Sequence, residues 1–159
     1  MKAEPSATGL QDGLAYHPSV IRAVRREELP AVLALWQAEA IASPTDHEQA
    51  LRKLCSVDPG ALIVAEQDGE LVGTVIAAWD GWRGNLYRLA VRSTHRRRGI
   101  GRALVDAASK HLRAKGAARL SALVFEADDA LGLAEAIGGE RDHRLVRFVQ
   151  TLEHEQRAP

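Results

Sequence analysis

The sequence predicts an α/β (α+β) fold: a mixed, mostly antiparallel sheet of six to seven strands with helices on both faces, in the order β-α-α-β-β-β-α-β-α-β. Three observations carry this. The spacing of apolar residues switches between the strand period of 2 and the helical period of 3.6. An Asp-Gly pair separates two apolar runs, which marks a hairpin. A strand, a long amphipathic helix and another strand then follow one another, the βαβ arrangement that makes its two strands parallel.

Val20–Val24 is a short β-branched run and the first strand. Arg25-Arg26-Glu27-Glu28 follows, with its acids where a helix macrodipole favours them. Leu29, Val32, Leu33, Trp36 and Ala40 then recur at i, i+3, i+4, i+7 and i+11, one face of an amphipathic helix. Ser43-Pro44-Thr45 breaks it, and Asp46 is placed to cap a second helix whose buried stripe is Ala50, Leu51, Leu54 and Cys55, ending at Asp58-Pro59-Gly60. Ala61–Glu66 and Leu71–Ala78 are the hairpin strands on either side of Asp68-Gly69, because both central positions of the favoured turn need φ > 0. After the turn Asp80-Gly81-Trp82-Arg83-Gly84, Asn85–Val91 adds a third antiparallel strand. From Gly99, residues Ile100, Leu104, Ala107, Ala108, His111 and Leu112 keep helical spacing until Gly116. Arg119–Phe125 is the parallel strand. A last helix over Asp129–Ile137 stops at Gly138-Gly139, and Arg144–Leu152 supplies a terminal strand from the alternation of Leu145, Arg147, Val149 and Thr151.

The chain has 159 residues, 46% of them hydrophobic, which suits one domain with a sizeable core. Residues 1–19, with Pro5, Gly9, Gly13 and Pro18, read as a flexible leader, and 20–159 as a single domain. The leader has no continuous apolar region of the secretory kind, and no stretch reaches the ~18 apolar residues of a membrane span. A cytoplasmic protein with no membrane partner is expected. The single cysteine, Cys55, excludes an intrachain disulfide and reads as a structural thiol on an apolar stripe. The 21 basic and 21 acidic residues cancel, so no broad attraction to nucleic acid is expected. The six histidines are scattered, His111 has no partner at i±4, and no metal site is indicated.

Against that neutral background one segment is strongly biased. The 25 residues between Asp80 and Asp106 contain seven arginines (Arg83, Arg88, Arg92, Arg96, Arg97, Arg98 and Arg102) with no lysine and no acid. Arginine offers a planar fork that matches phosphate oxygens. Within this segment Arg96-Arg97-Arg98-Gly99-Ile100-Gly101 falls at a strand-to-helix junction, where the first helical N–H groups lack internal partners and the dipole favours an anion. Glycine at 99 and 101 removes the Cβ atoms that would hold a phosphate away, and the segment reads as a pyrophosphate cradle. A P-loop is excluded because no Lys-Ser/Thr follows the glycines. A dinucleotide fingerprint is excluded because the position that needs glycine or alanine is Leu104. The arginine run as a nucleic-acid patch lacks interleaved aromatic residues.

Leu89-Ala90-Val91, then Arg96-x-x-Gly99-x-Gly101, then an amphipathic helix, resembles the acetyl-CoA motif Gln/Arg-x-x-Gly-x-Gly/Ala of the GNAT superfamily of N-acetyltransferases, over roughly residues 20–152. The resemblance implies direct transfer of an acetyl group from acetyl-CoA to a primary amine of a small molecule or protein, with no covalent enzyme intermediate. It also implies a cofactor site made of Leu89, Ala90, Val91, Arg96, Arg97, Arg98, Gly99, Ile100, Gly101 and Arg102, the pantetheine arm lying where the strand at 89–91 splays from the next. A backbone N–H there would stabilise the developing oxyanion. The sequence departs from the family in its last helix: Ala134 stands where many members carry the tyrosine that protonates the thiolate, and Gly139 where they carry phenylalanine. Ala122 stands where some members carry a catalytic glutamate.

The catalytic roles are therefore open. Tyr87, Glu126 and Asp80 are the nearest acid or base candidates, Tyr87 because it should share a strand face with Leu89. The alternative makes Tyr87 a half-buried sheet aromatic and Glu126 a solvated strand end. Trp79 and Trp82 flank the Asp80-Gly81 turn, beside an acceptor groove or simply in packing. A second functional reading is a non-catalytic acyl-CoA-binding regulatory domain of the same fold. Either form is compatible with a homodimer, which no residue pattern specifies. The amine acceptor carries no transferable motif.

Overall fold

In the computed structural model, residues 18–123, 129–150 and 152 are described. Those up to Leu123 belong to one compact unit and the later ones to a second. The first unit contains strands β1 (Val20–Ala23), β2 (Leu62–Gln67), β3 (Glu70–Trp79), β4 (Gly84–Val91) and β5 (Leu120–Ala122), with helices α1 (Leu29–Ala38), α2 (Glu48–Val57) and α3 (Ile100–Ala114). The five strands form one sheet in the order β1-β2-β3-β4-β5. The first three pairings are antiparallel and β4 with β5 is parallel, as the crossover helix α3 requires.

The hairpin turn behaves as its Asp-Gly pair predicts. Gln67 pairs with Glu70, and the two central residues take positive φ, 51° at Asp68 and 81° at Gly69. Alternation along β3 then decides which helix covers which face. The Trp36 Nε1–H of α1 donates to Thr74 Oγ1 at 2.8 Å. At the next residue back, a Cβ on Gly73 would stand 2.9 Å from Leu104 Cδ1 and 3.3 Å from Ile100 Cγ2 of α3. Successive residues of a strand point to opposite faces, so α1 and α3 cover opposite sides of the sheet. On the α1 side Leu29, Val32, Leu35 and Trp36 pack with Leu51 of α2 and with Leu62, Val64, Leu71, Ile76 and Ala90. On the other side α3 buries Ile100, Leu104, Val105, Ala108 and Leu112. Gly73 near its start and Gly84, whose Cβ would meet Leu112 Cδ1 at 2.7 Å, let the helix lie close on the sheet.

Several boundaries differ from the sequence reading. Ala40 lies beyond α1 and is exposed with φ 56°, so Leu35 takes its place in the buried stripe. Helix α2 is capped by His47, whose Nδ1 accepts from the Ala50 N–H at 3.1 Å, and not by Asp46. Asp46 instead accepts from the Ser43 N–H at 2.7 Å and closes the preceding turn. Of the predicted α2 stripe only Leu51 is buried, and Ala50, Leu54 and Cys55 are half-buried. The parallel strand is three residues long, and its predicted continuation from Val124 lies outside the described residues. The terminal strand over 144–152 does not form: residues 144–150 pair with no strand among the described residues. Alternation supplies the pattern of a strand but a ladder partner makes one, so among the described residues the sheet has five strands rather than six or seven.

In the second unit α4 (Asp129–Ala136) ends in a Schellman motif, with Gly138 at φ 84° and the Gly139 N–H donating to Ala134 O at 2.8 Å. Residues 1–17 of the leader (1–19) and Glu126 lie outside the described residues.

Candidate functional site

β4 does not run evenly. It pairs Ile76 with Tyr87 and Thr74 with Ala90, so Val75 faces two residues, Arg88 and Leu89. This is a β-bulge, and Arg88 within it takes the left-handed region at φ 52°, which costs a non-glycine residue free energy. Three contacts hold it there. The buried Thr74 hydroxyl donates to Arg88 O at 3.0 Å. The Arg88 guanidinium donates to both Asp46 oxygens, at 2.8 and 2.7 Å. It also lies 5.5 Å from the centre of the Trp36 ring.

Beyond the bulge β4 has one edge that is open among the described residues. The Arg92 N–H donates to Val72 O at 2.8 Å, so Ala90 and Arg92 face β3. Leu89 and Val91, alternating with them, turn their N–H groups the other way. On that side β5 pairs only with Gly84, Asn85 and Leu86. Among the described residues no strand lies against Leu89–Val91.

The open edge leads directly into the arginine loop. After Val91 a short 3-10 turn, Ser93–His95, brings the chain to Arg96. The Arg96 guanidinium turns inward: Nε donates to Val91 O at 3.2 Å and Nη2 to Glu39 at 2.9 Å. Glu39, just past α1, also accepts from the Ser93 N–H at 3.1 Å, so one carboxylate ties both ends of the turn. Arg97 at φ 62° and Gly99 at φ 81° then twist the backbone into α3, with Gly99 as the N-cap. No side chain fills the space over Gly99, where a Cβ would meet nothing within 4 Å. The first backbone bond of the helix runs from Ala103 N to Gly99 O. Among the described residues the N–H groups of Arg98, Gly99, Ile100, Gly101 and Arg102 have no protein acceptor. Ile100 is buried and fastens the helix start to the sheet, whereas Arg97, Arg98 and Arg102 are exposed.

The positive field is narrower than seven arginines suggest. Arg88 and Arg96 are ion-paired, Arg92 Nε donates to Leu71 O at 2.8 Å, and Arg83 stacks 3.9 Å from the Trp82 ring centre. Arg97, Arg98 and Arg102 make no ion pair among the described residues. The structure therefore brings together two features on one path: β4 N–H groups and, beside a helix N-terminus, three guanidinium groups, all without a partner among the described residues. Peptide N–H groups on an open edge suit an extended amide-bearing chain, and the helix start suits a diphosphate.

The acid and base candidates do not gather there. The bulge breaks the alternation between Tyr87 and Leu89, so Tyr87 shares its face with Ala90, against the expectation from sequence, and it is exposed. Asp80 is a turn residue, whose Oδ1 accepts from the Trp82 and Arg83 N–H groups at 2.8 and 2.6 Å. Those donors, Arg83 first, hold its carboxyl below the usual range. Gly139 is explained locally, since a Cβ there would stand 2.7 Å from Ala134 O and leave no room for the aromatic residue of the resemblance. Sequence reasoning missed Thr74, Asp46 and Glu39. Each acts across 14 to 57 residues of chain, and only the isolated threonine in an otherwise apolar strand gave any signal.

Comparison with known proteins bears on the family and the fold. The model of the acetyltransferase (GNAT) family matches residues 23–138. An acetyltransferase of Pectobacterium atrosepticum is 36% identical over 119 residues, covering 74% of this chain and 84% of its own. Among solved structures, aminoglycoside N-acetyltransferase AAC(6')-Iy in complex with CoA superposes with a TM-score of 0.70 at 18% identity, over 87% of this chain and 99% of that one. Ard1 from Thermoplasma volcanium gives 0.67 at 20% identity, over 76% of this chain and 82% of that one.

Proposed function

Because the chain belongs to the GNAT family of acetyltransferases, we propose that the open edge of β4 and the start of α3 bind acetyl-CoA, and that the acetyl group passes to a primary amine of a small molecule or protein. The observation that carries this reading is the continuity of the two features. The Leu89 and Val91 N–H groups suit the amide-bearing pantetheine arm. The N–H groups of Arg98–Arg102, with the Arg97, Arg98 and Arg102 side chains, suit the diphosphate. The Arg96 side chain is committed to Glu39 and shapes the loop.

In the reaction the amine nitrogen forms a bond to the acetyl carbon as the carbon–sulfur bond breaks. The amine's proton leaves to solvent and the thiolate takes one up. Negative charge develops on the thioester oxygen, and a preorganised N–H on the β4 edge stabilises it, an effect worth several kcal/mol at such sites. Holding both reactants in the gap supplies much of the remaining rate. The last helix carries Ala134 where many family members carry the tyrosine acid, so the thiolate's proton is assigned to no side chain.

Calorimetric titration with acetyl-CoA tests the site, beside the double variant Arg98→Glu/Gly101→Glu, which puts two acids at the helix start. Binding by the wild type that the variant loses supports the reading, and absence of binding by the wild type refutes it. A screen for release of free CoA thiol then asks for the acceptor. It starts with aminoglycosides, because AAC(6')-Iy and a soil metagenomic acetyltransferase of similar fold act on that class by name, and continues with polyamines and peptide N-termini.

A further inference from the structure

Thr74 is the one buried polar side chain among the described residues, with 0% exposure. Its hydroxyl lies in a chain of two hydrogen bonds: it accepts from Trp36 Nε1–H at 2.8 Å and donates to Arg88 O at 3.0 Å. The indole N–H can only donate and the carbonyl can only accept, so the hydroxyl proton is directed to the carbonyl. That carbonyl belongs to the peptide unit joining Arg88 to Leu89. A peptide unit is planar and trans, so its C=O and N–H point in opposite directions. A carbonyl drawn toward Thr74 on β3 therefore turns the Leu89 N–H away from β3, onto the open edge.

We propose that Thr74 is a positioning residue: by fixing the Arg88 carbonyl it aims the Leu89 N–H at the thioester carbonyl of acetyl-CoA. This rests on the reading of β4 as the pantetheine site and adds to it the side chain that sets the reacting end. Arg88 is held left-handed at φ 52°, a conformation the chain leaves when its restraints go. Removing the hydroxyl frees the carbonyl, and the Leu89–Arg88 peptide unit can then rotate. The Asp46 and Trp36 contacts restrain Arg88 through its side chain, and Thr74 is the side chain that bonds its carbonyl. Thr74 is fully buried, so its effect must appear in the one contact it orients.

Two probes isolate that contact: acetyl-CoA, and S-ethyl-CoA, a thioether that lacks only the carbonyl oxygen. The wild type is expected to bind acetyl-CoA ~5-fold more tightly, the worth of about one net hydrogen bond. Thr74→Val keeps the shape and should bind both probes alike, with the affinity for S-ethyl-CoA unchanged. Thr74→Ser, which restores the hydroxyl, should restore the preference. Thr74→Val leaves the Trp36 N–H without an acceptor, so Thr74→Val/Trp36→Phe, which removes both polar groups, is measured beside it. A preference retained in the valine variants overturns the positioning role and leaves the cofactor reading standing. Failure of the wild type to bind either probe overturns both.

Discussion

Gly73→Ala tests whether the seating of α3 on the sheet sets the diphosphate site. The added Cβ would stand 2.9 Å from Leu104 Cδ1, 3.0 Å from Ala90 O and 3.3 Å from Ile100 Cγ2. The first neighbour is the end of a flexible side chain and yields. The second is backbone in β4, and the third belongs to a β-branched residue with little rotamer freedom in a helix. Relief must come from moving α3 or β4, an overpacking cost of about 2 kcal/mol, which lowers Tm by roughly 4–8 °C in a chain of this length. Ile100 is the first residue of α3, so the shift falls at the end that presents the free N–H groups. Acetyl-CoA binding should weaken roughly tenfold, equivalent to the loss of about one charge-assisted hydrogen bond. Gly84→Ala is the control, since its Cβ meets the side chain of Leu112, about 18 Å further along the helix. It should lower Tm with little change in affinity. Thermal unfolding and calorimetry on both variants decide the matter: equal losses of affinity, or no loss in Gly73→Ala, would refute the reasoning.

Glu39→Gln should loosen the turn before the arginine loop, because the Arg96 ion pair and the Ser93 contact share that carboxylate; acetyl-CoA affinity is expected to fall several-fold with a Tm change of only a few degrees, read by the same two assays. The Arg22 guanidinium donates to Glu28 at 2.6 Å and holds that carboxyl below its usual range, against the opposing effect of burial. A depressed native pKa stabilises the fold above the unfolded value, about 4.3, and the stabilisation is lost as pH falls through the lower native value. The gap in urea midpoint between wild type and Glu28→Gln should therefore be full at pH 7 and close below pH 4. Burial, with Asp58 nearby, pushes the Cys55 thiol up, so iodoacetamide at pH 8 should alkylate it more slowly than free cysteine. Reaction faster than free cysteine would mean an activated thiol.

The sheet order through β4 and the helix at 100–114 were legible because local chemistry decides them. Asp68-Gly69 has one preferred turn, and the apolar stripe of α3 has one period. The arginine loop was legible for the same reason, since Gly99 and its flanking charges lie within a few residues of one another. The bulge was not. No glycine marks Arg88, and what holds its left-handed backbone comes from Thr74, Asp46 and Trp36 elsewhere in the chain. The face of Tyr87 was misjudged because a period-2 count assumes no inserted residue. The terminal strand was overread because Leu145, Arg147 and Val149 alternate with no paired neighbour among the described residues.

The edge of β4 that has no partner among the described residues has a consequence for behaviour in solution. A row of free N–H and C=O groups is a template on which another copy's identical edge could add, the first step of sheet-to-sheet aggregation. Here the row is short and kinked by the bulge, and it runs out into Arg97 and Arg98, which are exposed. Two copies meeting edge to edge would bring these cations together at close range. The same guanidinium groups therefore act as gatekeepers, keeping an adhesive strand edge soluble while leaving it open.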